Sequence, residues 1–149
     1  MGGDNAPASV IYGADIAKAQ ASHVEFTFVG DESQIRLLLT QTQHLQNAEI
    51  LHTNIAVAAE DTASQAVRRG RDSSMWRAIA KVADKKADAV VSAGNTGALM
   101  AMSKLQLRTM PGVTRPAIAG FFPTEQERMC MLDLGANLEC DEDNLVQFA

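Results

Sequence analysis

The stretch Ala87-Asp88-Ala89-Val90-Val91-Ser92-Ala93-Gly94-Asn95-Thr96-Gly97-Ala98 decides the fold. An apolar run, Ala87 to Val91, predicts a buried strand, and the pattern from Asn95 to Leu107 predicts a helix. Between them lies a glycine-rich turn. Glycines let backbone N–H groups converge on one point, the first helical turn leaves its amide donors unpaired, and aligned peptide dipoles favour negative charge there. The residues alone leave two readings open. Ser92, Gly94, Asn95, Thr96 and Gly97 either cradle an anion such as phosphate, or serve only to bend and cap the chain.

Outward from that turn, helical and strand patterns alternate. Ala8 to Ala21 reads as a helix, Val24 to Val29 as a strand ended by Gly30, and Asp31 or Ser33 to about Gln41 as a helix. Ala48 to His52 is a second short strand. Thr62 to Arg69 is a short helix, and Ser73 caps a longer one in which Met75, Trp76, Ile79, Val82 and Ala83 recur at helical spacing. Ala117 to Phe122 and Arg128 to Leu134 read as adjacent strands joined through Pro123 to Glu127, and Asp141 to Ala149 opens a last helix. The alternation predicts an α/β fold of three layers, α/β/α, with a mostly parallel sheet covered by helices on both faces. In such sheets ligands gather beyond the carboxyl ends of the strands. Gly30-Asp31, Ser92 to Ala98 and Asp133-Leu134-Gly135-Ala136-Asn137 all sit there. Met1-Gly2-Gly3-Asp4-Asn5 precedes a helix in the same way but has no strand before it. The final helix stops after two turns without a C-cap signal. Both observations lead us to expect a single α/β domain fragment, residues 1–149, truncated at both ends and lacking its first strand.

Composition narrows the class. The chain has 149 residues, 46% hydrophobic and 5% aromatic, with a net charge of -5. That suits one compact α/β domain and argues against nucleic acid as a partner. Arg68, Arg69 and Arg71 form a local basic cluster at a helix end, where a solvated cap is the simpler reading. Cys130 and Cys140 form no CxxC pair and have no zinc-like histidine arrangement, so they read as reduced, buried thiols. No metal is expected. No apolar stretch approaches the roughly 20 residues that span a bilayer, and no secretory signal opens the chain. A cytoplasmic protein is the expectation.

Taken together, Met1-Gly2-Gly3-Asp4-Asn5-Ala6-Pro7, Arg68 with Asp72-Ser73-Ser74-Met75, the 87–98 stretch, Arg115-Pro116-Ala117 and Asp133 to Asn137 resemble the PlsX-type phosphate acyltransferases of bacterial phospholipid synthesis. They occur in family order and spacing, and the whole chain resembles the N-terminal half of such a protein. One departure is Glu60-Asp61-Thr62-Ala63, where family members carry a proline after the paired acids. The resemblance implies a fold similar to isocitrate and isopropylmalate dehydrogenases. It implies transfer of a fatty acyl group from acyl carrier protein thioester to inorganic phosphate, with no cofactor. It further implies a homodimer for the full-length parent, and peripheral association with the inner face of the membrane through the missing half.

The residue types suit that chemistry. Phosphate is partly dianionic near neutrality and attacks a thioester without a protein nucleophile, while a thiol of pKa about 8–9 leaves without a strong acid. Catalysis then rests on holding reactants together and on donors aimed at the developing oxyanion. Candidate catalytic residues are Asp4, Asn5, Asn95, Asp133 and Asn137. Candidate phosphate or acyl contacts are Gly2, Gly3, Ser73, Ser74, Ser92, Gly94, Thr96, Gly97, Arg115 and Gly135. Asp4 and Asp133 either fix their turns or take a proton from monoanionic phosphate. Ser73 reads as an N-cap, and Ser74 as a cap neighbour or an anion contact. His23, His44 and His52 lie outside the motifs, and Met100, Met102 and Met110 read as core. Two other classes stay open: an inactive piece that keeps an anion site, and a nucleotide-binding, phosphate acetyltransferase-like or dehydrogenase-like enzyme of the same fold. Against the dehydrogenase reading, no G-x-G-x-x-G with a following acid appears after a strand.

Overall fold

A computed structural model describes residues 1–135, 137 and 139–149. The described residues form a mixed α/β structure of six helices and four strands that divides into two compact units, Met1–Leu107 and Arg108–Ala149. The first unit runs α1 (Ala8–Gln20), β1 (Thr27–Gly30), α2 (Glu32–Leu39), β2 (Glu49–His52), α3 (Ala63–Arg69), α4 (Ser74–Ala83) and α5 (Thr96–Leu107). The second holds β3 (Ala119–Pro123), β4 (Arg128–Leu132) and α6 (Glu142–Phe148).

Local chemistry sets the helix starts. Asp31, Thr62, Ser73 and Asp141 each stand in extended backbone and accept an N–H from three residues on, which satisfies one orphan donor of the first turn. Thr62 and Asp141 complete capping boxes with Gln65 and Asn144. β1 and β2 pair in parallel with Thr27 opposite Glu49 and Gly30 opposite His52, and α2 makes the crossover between them. Two apolar clusters support the first unit. Ile11, Phe28, Ile35, Leu39 and Leu45 are buried together around the β1–β2 pair. Val57, Ala66, Met75, Ile79, Ala98 and Met102 are buried together where α5 packs on α3 and α4.

Several expectations are corrected. Residues 87–91 form no strand: among the described residues nothing pairs with them, and Val91 is 87% exposed. A strand exists only through its ladder, so an apolar run without a hydrogen-bonding neighbour remains irregular backbone. Val90 alone packs against the α3–α5 cluster. The mostly parallel sheet reduces to one parallel pair and one antiparallel hairpin, β3–β4, with Ala119 opposite Leu132. The first strand starts at Thr27 rather than Val24, because Val24 closes a turn onto the Ala21 carbonyl and its own carbonyl accepts Lys18 Nζ. Both cysteines are exposed rather than buried, Cys130 on a strand whose every residue is exposed. Met102 is fully buried, whereas Met110, beyond the end of α5, lies open to solvent. No helix among the described residues is long and apolar enough to cross a membrane.

Candidate functional site

In the first unit, three segments that lie far apart in sequence meet beside the N-terminus of α5. They are residues 1–4, 56–61 and 92–95. Two openings lie among them, of about 260 Å³ and 150 Å³, and both are lined by Gly3, Asp4, Val57 and Ala59. The smaller adds Ala93, Gly94 and Asn95. It is several times the roughly 30 Å³ that a water molecule occupies in the liquid. The glycine loops touch: a Cβ on Gly3, whose φ is +98°, would stand 2.7 Å from the Ala93 carbonyl oxygen. Glycine is therefore required at that position for both its backbone conformation and its contact.

The turn that begins α5 is internally braced. Ser92 Oγ accepts the Gly94 N–H at 3.2 Å, and Asn95 Oδ1 accepts the Ala98 N–H at 2.9 Å. Asn95 Nδ2 donates into three carbonyls, Ala58 at 3.2 Å, Ala59 at 3.1 Å and Asp61 at 2.8 Å. Its side chain thus faces protein carbonyls. The backbone N–H groups of Asn95, Thr96 and Gly97 have no acceptor among the described residues, and Thr96 and Gly97 are exposed. Free donors at a helix start, with the dipole behind them, suit an anion.

The serines at α4 work structurally. Ser73 is fully buried and its Oγ accepts the Trp76 N–H at 3.2 Å. Ser74 Oγ donates to the Met1 carbonyl at 3.4 Å, which ties the glycine-rich 1–4 loop to α4. Asp4 and Asn5 are exposed, and the Asp4 carboxylate takes no hydrogen bond among the described residues. His52 Nδ1 accepts the Glu32 N–H at 3.1 Å, and His23 and His44 are exposed away from the three segments.

In the second unit, Asp133 has a left-handed backbone, φ 56°, and Gly135 follows with φ 74°. Asn137 Nδ2 donates to Asp133 Oδ1 at 2.8 Å and to the Pro116 carbonyl at 3.3 Å. Arg115 Nη1 donates to the Glu139 carbonyl at 3.1 Å. Cys140 Sγ donates to Asp133 Oδ2 at 3.4 Å; desolvation and then this carboxylate push the thiol above its ordinary value. Ala136, in the middle of this motif, lies outside the described residues. Among the described residues there is no cluster of three or more His, Cys, Asp or Glu that could hold a metal.

A family model described as fatty acid synthesis protein matches residues 1–149. The chain belongs to that family. Among its relatives, a phosphate acyltransferase of Rhodospirillum centenum is 57% identical over 150 residues, covering 100% of this chain and 42% of the relative. A phosphate acyltransferase of Parvibaculum lavamentivorans is 52% identical over 151 residues, with 100% and 42% covered. One from Paramagnetospirillum magneticum is 49% identical over 150 residues, with 100% and 43% covered. The chain therefore spans less than half the length of these family members.

The sequence did not point to residues 56–61 as part of the site. Val57 and Ala59 carry no chemistry of their own, and Asp61 stood out only where the resemblance leads one to expect a proline. The available signal was the carboxamide of Asn95, which needs acceptors once it caps a helix in a tight turn. Which carbonyls supply them depends on a contact across more than 30 positions, since Asn95 and Asp61 differ by 34.

Proposed function

We propose that this sequence carries the inorganic phosphate site of an acyltransferase. The enzyme moves a fatty acyl group from acyl carrier protein thioester to phosphate, giving acyl phosphate for phospholipid synthesis. One observation carries the reading: an opening walled by Gly3, Asp4 and Gly94 lies at the N-terminus of α5, where the Asn95, Thr96 and Gly97 amides have no acceptor among the described residues. The names of the relatives support phosphate as the guest.

A phosphate oxygen attacks the thioester carbonyl carbon, and the carbon–sulfur bond breaks as the tetrahedral intermediate collapses. Backbone donors of residues 95–97, with Gly2, Gly3 and Gly94 close by, hold the phosphate. Asp4 takes the proton when the monoanion reacts, and the departing thiolate, basic enough to bind a proton near neutrality, regains one. Asn5 orients an oxygen. Ser73, Ser74 and Ser92 serve by fixing the loops that meet the anion. In the second unit, Asp133, Gly135, Asn137 and Arg115 form a second polar element of the same enzyme, with Asn137 available to orient an oxygen. The family match runs across all 149 residues, which supports reading them as one α/β domain fragment. The parent is a cytoplasmic homodimer that meets the inner face of the membrane through the remainder of its length.

The test is phosphate-dependent release of carrier-protein thiol by a chain of the relatives' full length that contains residues 1–149. Release that ignores phosphate overturns the reading. Thermal stabilisation of the 149-residue chain by NAD or ATP, with none from phosphate, would favour a nucleotide enzyme instead. Phosphate binding without any turnover in the full-length chain would leave an anion site alone.

A further inference from the structure

We propose that Asn95 and Asp61 are positioning residues that together hold the 58–61 turn as a wall of the anion cavity. This rests on the reading of that cavity as a phosphate site. The turn has no helix or strand of its own, yet Ala59 lines both openings. Two side chains fix it from opposite ends. Asn95 Nδ2 has only two hydrogens for the three carbonyls of Ala58, Ala59 and Asp61, so one hydrogen is shared and the carbonyls are drawn together. Asp61 Oδ2 accepts the Ala58 N–H at 3.0 Å and closes the turn, while the Asp61 N–H reaches the Ala58 carbonyl at 3.3 Å. With its oxygen on the Ala98 N–H, Asn95 has its side-chain donors committed to protein, and its side chain acts on phosphate through the turn.

The arrangement makes predictions that oppose the simpler ones. Capping alone ranks Asp at position 95 as good as Asn. Three carbonyls facing a carboxylate make it the worst choice. Coulomb's law alone says that Asp61→Ala, by removing a negative charge near an anion, tightens phosphate binding. Loss of the turn weakens it.

The experiment titrates the 149-residue chain with inorganic phosphate at matched ionic strength and follows amide hydrogen exchange of residues 58–61. Asn95→Ser, which keeps a cap, and Asp61→Ala should each weaken phosphate by about tenfold, the scale of one lost hydrogen bond. Asn95→Asp should weaken it further, and all three should speed exchange in the turn. The Asn95→Ser, Asp61→Ala double variant should bind within about twofold of the weaker single, because both act on one turn. Asp61→Asn keeps an acceptor for the Ala58 N–H and should bind at least as tightly as the parent, which separates misfolding from loss of the clamp. Unchanged exchange in the variants, or tighter binding by Asp61→Ala, overturns the proposal. If the unsubstituted chain shows no saturable response to phosphate, the phosphate reading fails, and the exchange data still decide whether the clamp exists.

Discussion

A Cβ on Gly2 would stand 3.3 Å from the Cα of Gly94, so the two glycine-rich loops meet backbone to backbone. The 1–4 loop is held there from below by the Ser74 hydroxyl on the Met1 carbonyl. A side chain at either glycine would crowd the other loop, and Gly94 also lines the smaller opening beside the contact.

Gly3→Ala should destabilise the first unit by about 1–3 kcal/mol, because Ala at positive φ is strained and its Cβ would collide with the Ala93 carbonyl. Gly13→Ala is the control. Gly13 lies within α1, and a methyl group there would meet nothing within 4 Å, so the same change should stabilise by about 0.5–1 kcal/mol. Urea denaturation followed by circular dichroism reads both.

Ser73→Ala should cost about 1–2 kcal/mol. The hydroxyl is fully buried and is the cap of α4, so its loss orphans the Trp76 N–H inside the protein. Restoring an acceptor with Ser73→Thr should recover most of the midpoint in urea.

Met102→Ala should be among the most damaging single changes, at about 2–5 kcal/mol, since Met102 is fully buried in the cluster that seats α5 on α3 and α4. Met110→Ala, at an exposed position, should shift the thermal midpoint little.

Glu49 gives a pH dependence with a defined sign. Hydrogen bonds from Lys81 and then Thr27 hold its carboxyl below the ordinary glutamate value. A carboxylate depressed in the folded state contributes stability that is complete above its unfolded pKa, about 4.3, and disappears as pH falls through the lower folded value. The side chain is largely exposed, so solvent screening limits the effect to about 1 kcal/mol or less. Lys81→Met should flatten this acid limb by lowering the plateau near neutral pH by that amount, while stability below the folded pKa stays almost unchanged.

Desolvation, and then the hydrogen bond and charge of Asp133, discourage the Cys140 thiol from ionising. Asp133→Asn should lower its pKa, raise its thiolate fraction at pH 8 and speed alkylation by iodoacetamide. A rate that is unchanged or slower would show that the carboxylate does not control this thiol.

The elements that were legible in the sequence depend on short-range physics. Caps at Asp31, Thr62, Ser73 and Asp141, the i, i+3, i+4 spacing of Met75, Ile79 and Val82, and the break between two apolar runs at Pro123 to Glu127 each act within a few residues. Their reading needed no knowledge of the rest of the chain. Among the described residues, 87–91 had the right composition for a strand but no ladder partner, and Cys130 had the right chemistry for burial but sits on a strand whose every residue is exposed. Neither partner nor cover is written in the local pattern.

The candidate site divides along the same line. By itself the sequence determined that Gly94 to Gly97 turns the chain into a helix, because turn and cap preferences are properties of those residues. Only the tertiary structure decided that the 1–4 and 56–61 segments stand beside that turn, and that the Asn95 carboxamide faces three carbonyls. Those contacts join positions more than 30 apart, as between Asn95 and Asp61, and arise from packing of α5 on α3 and α4. A hydrogen bond's partner is chosen by whichever backbone the fold brings within about 3 Å, and residue identity alone does not specify it.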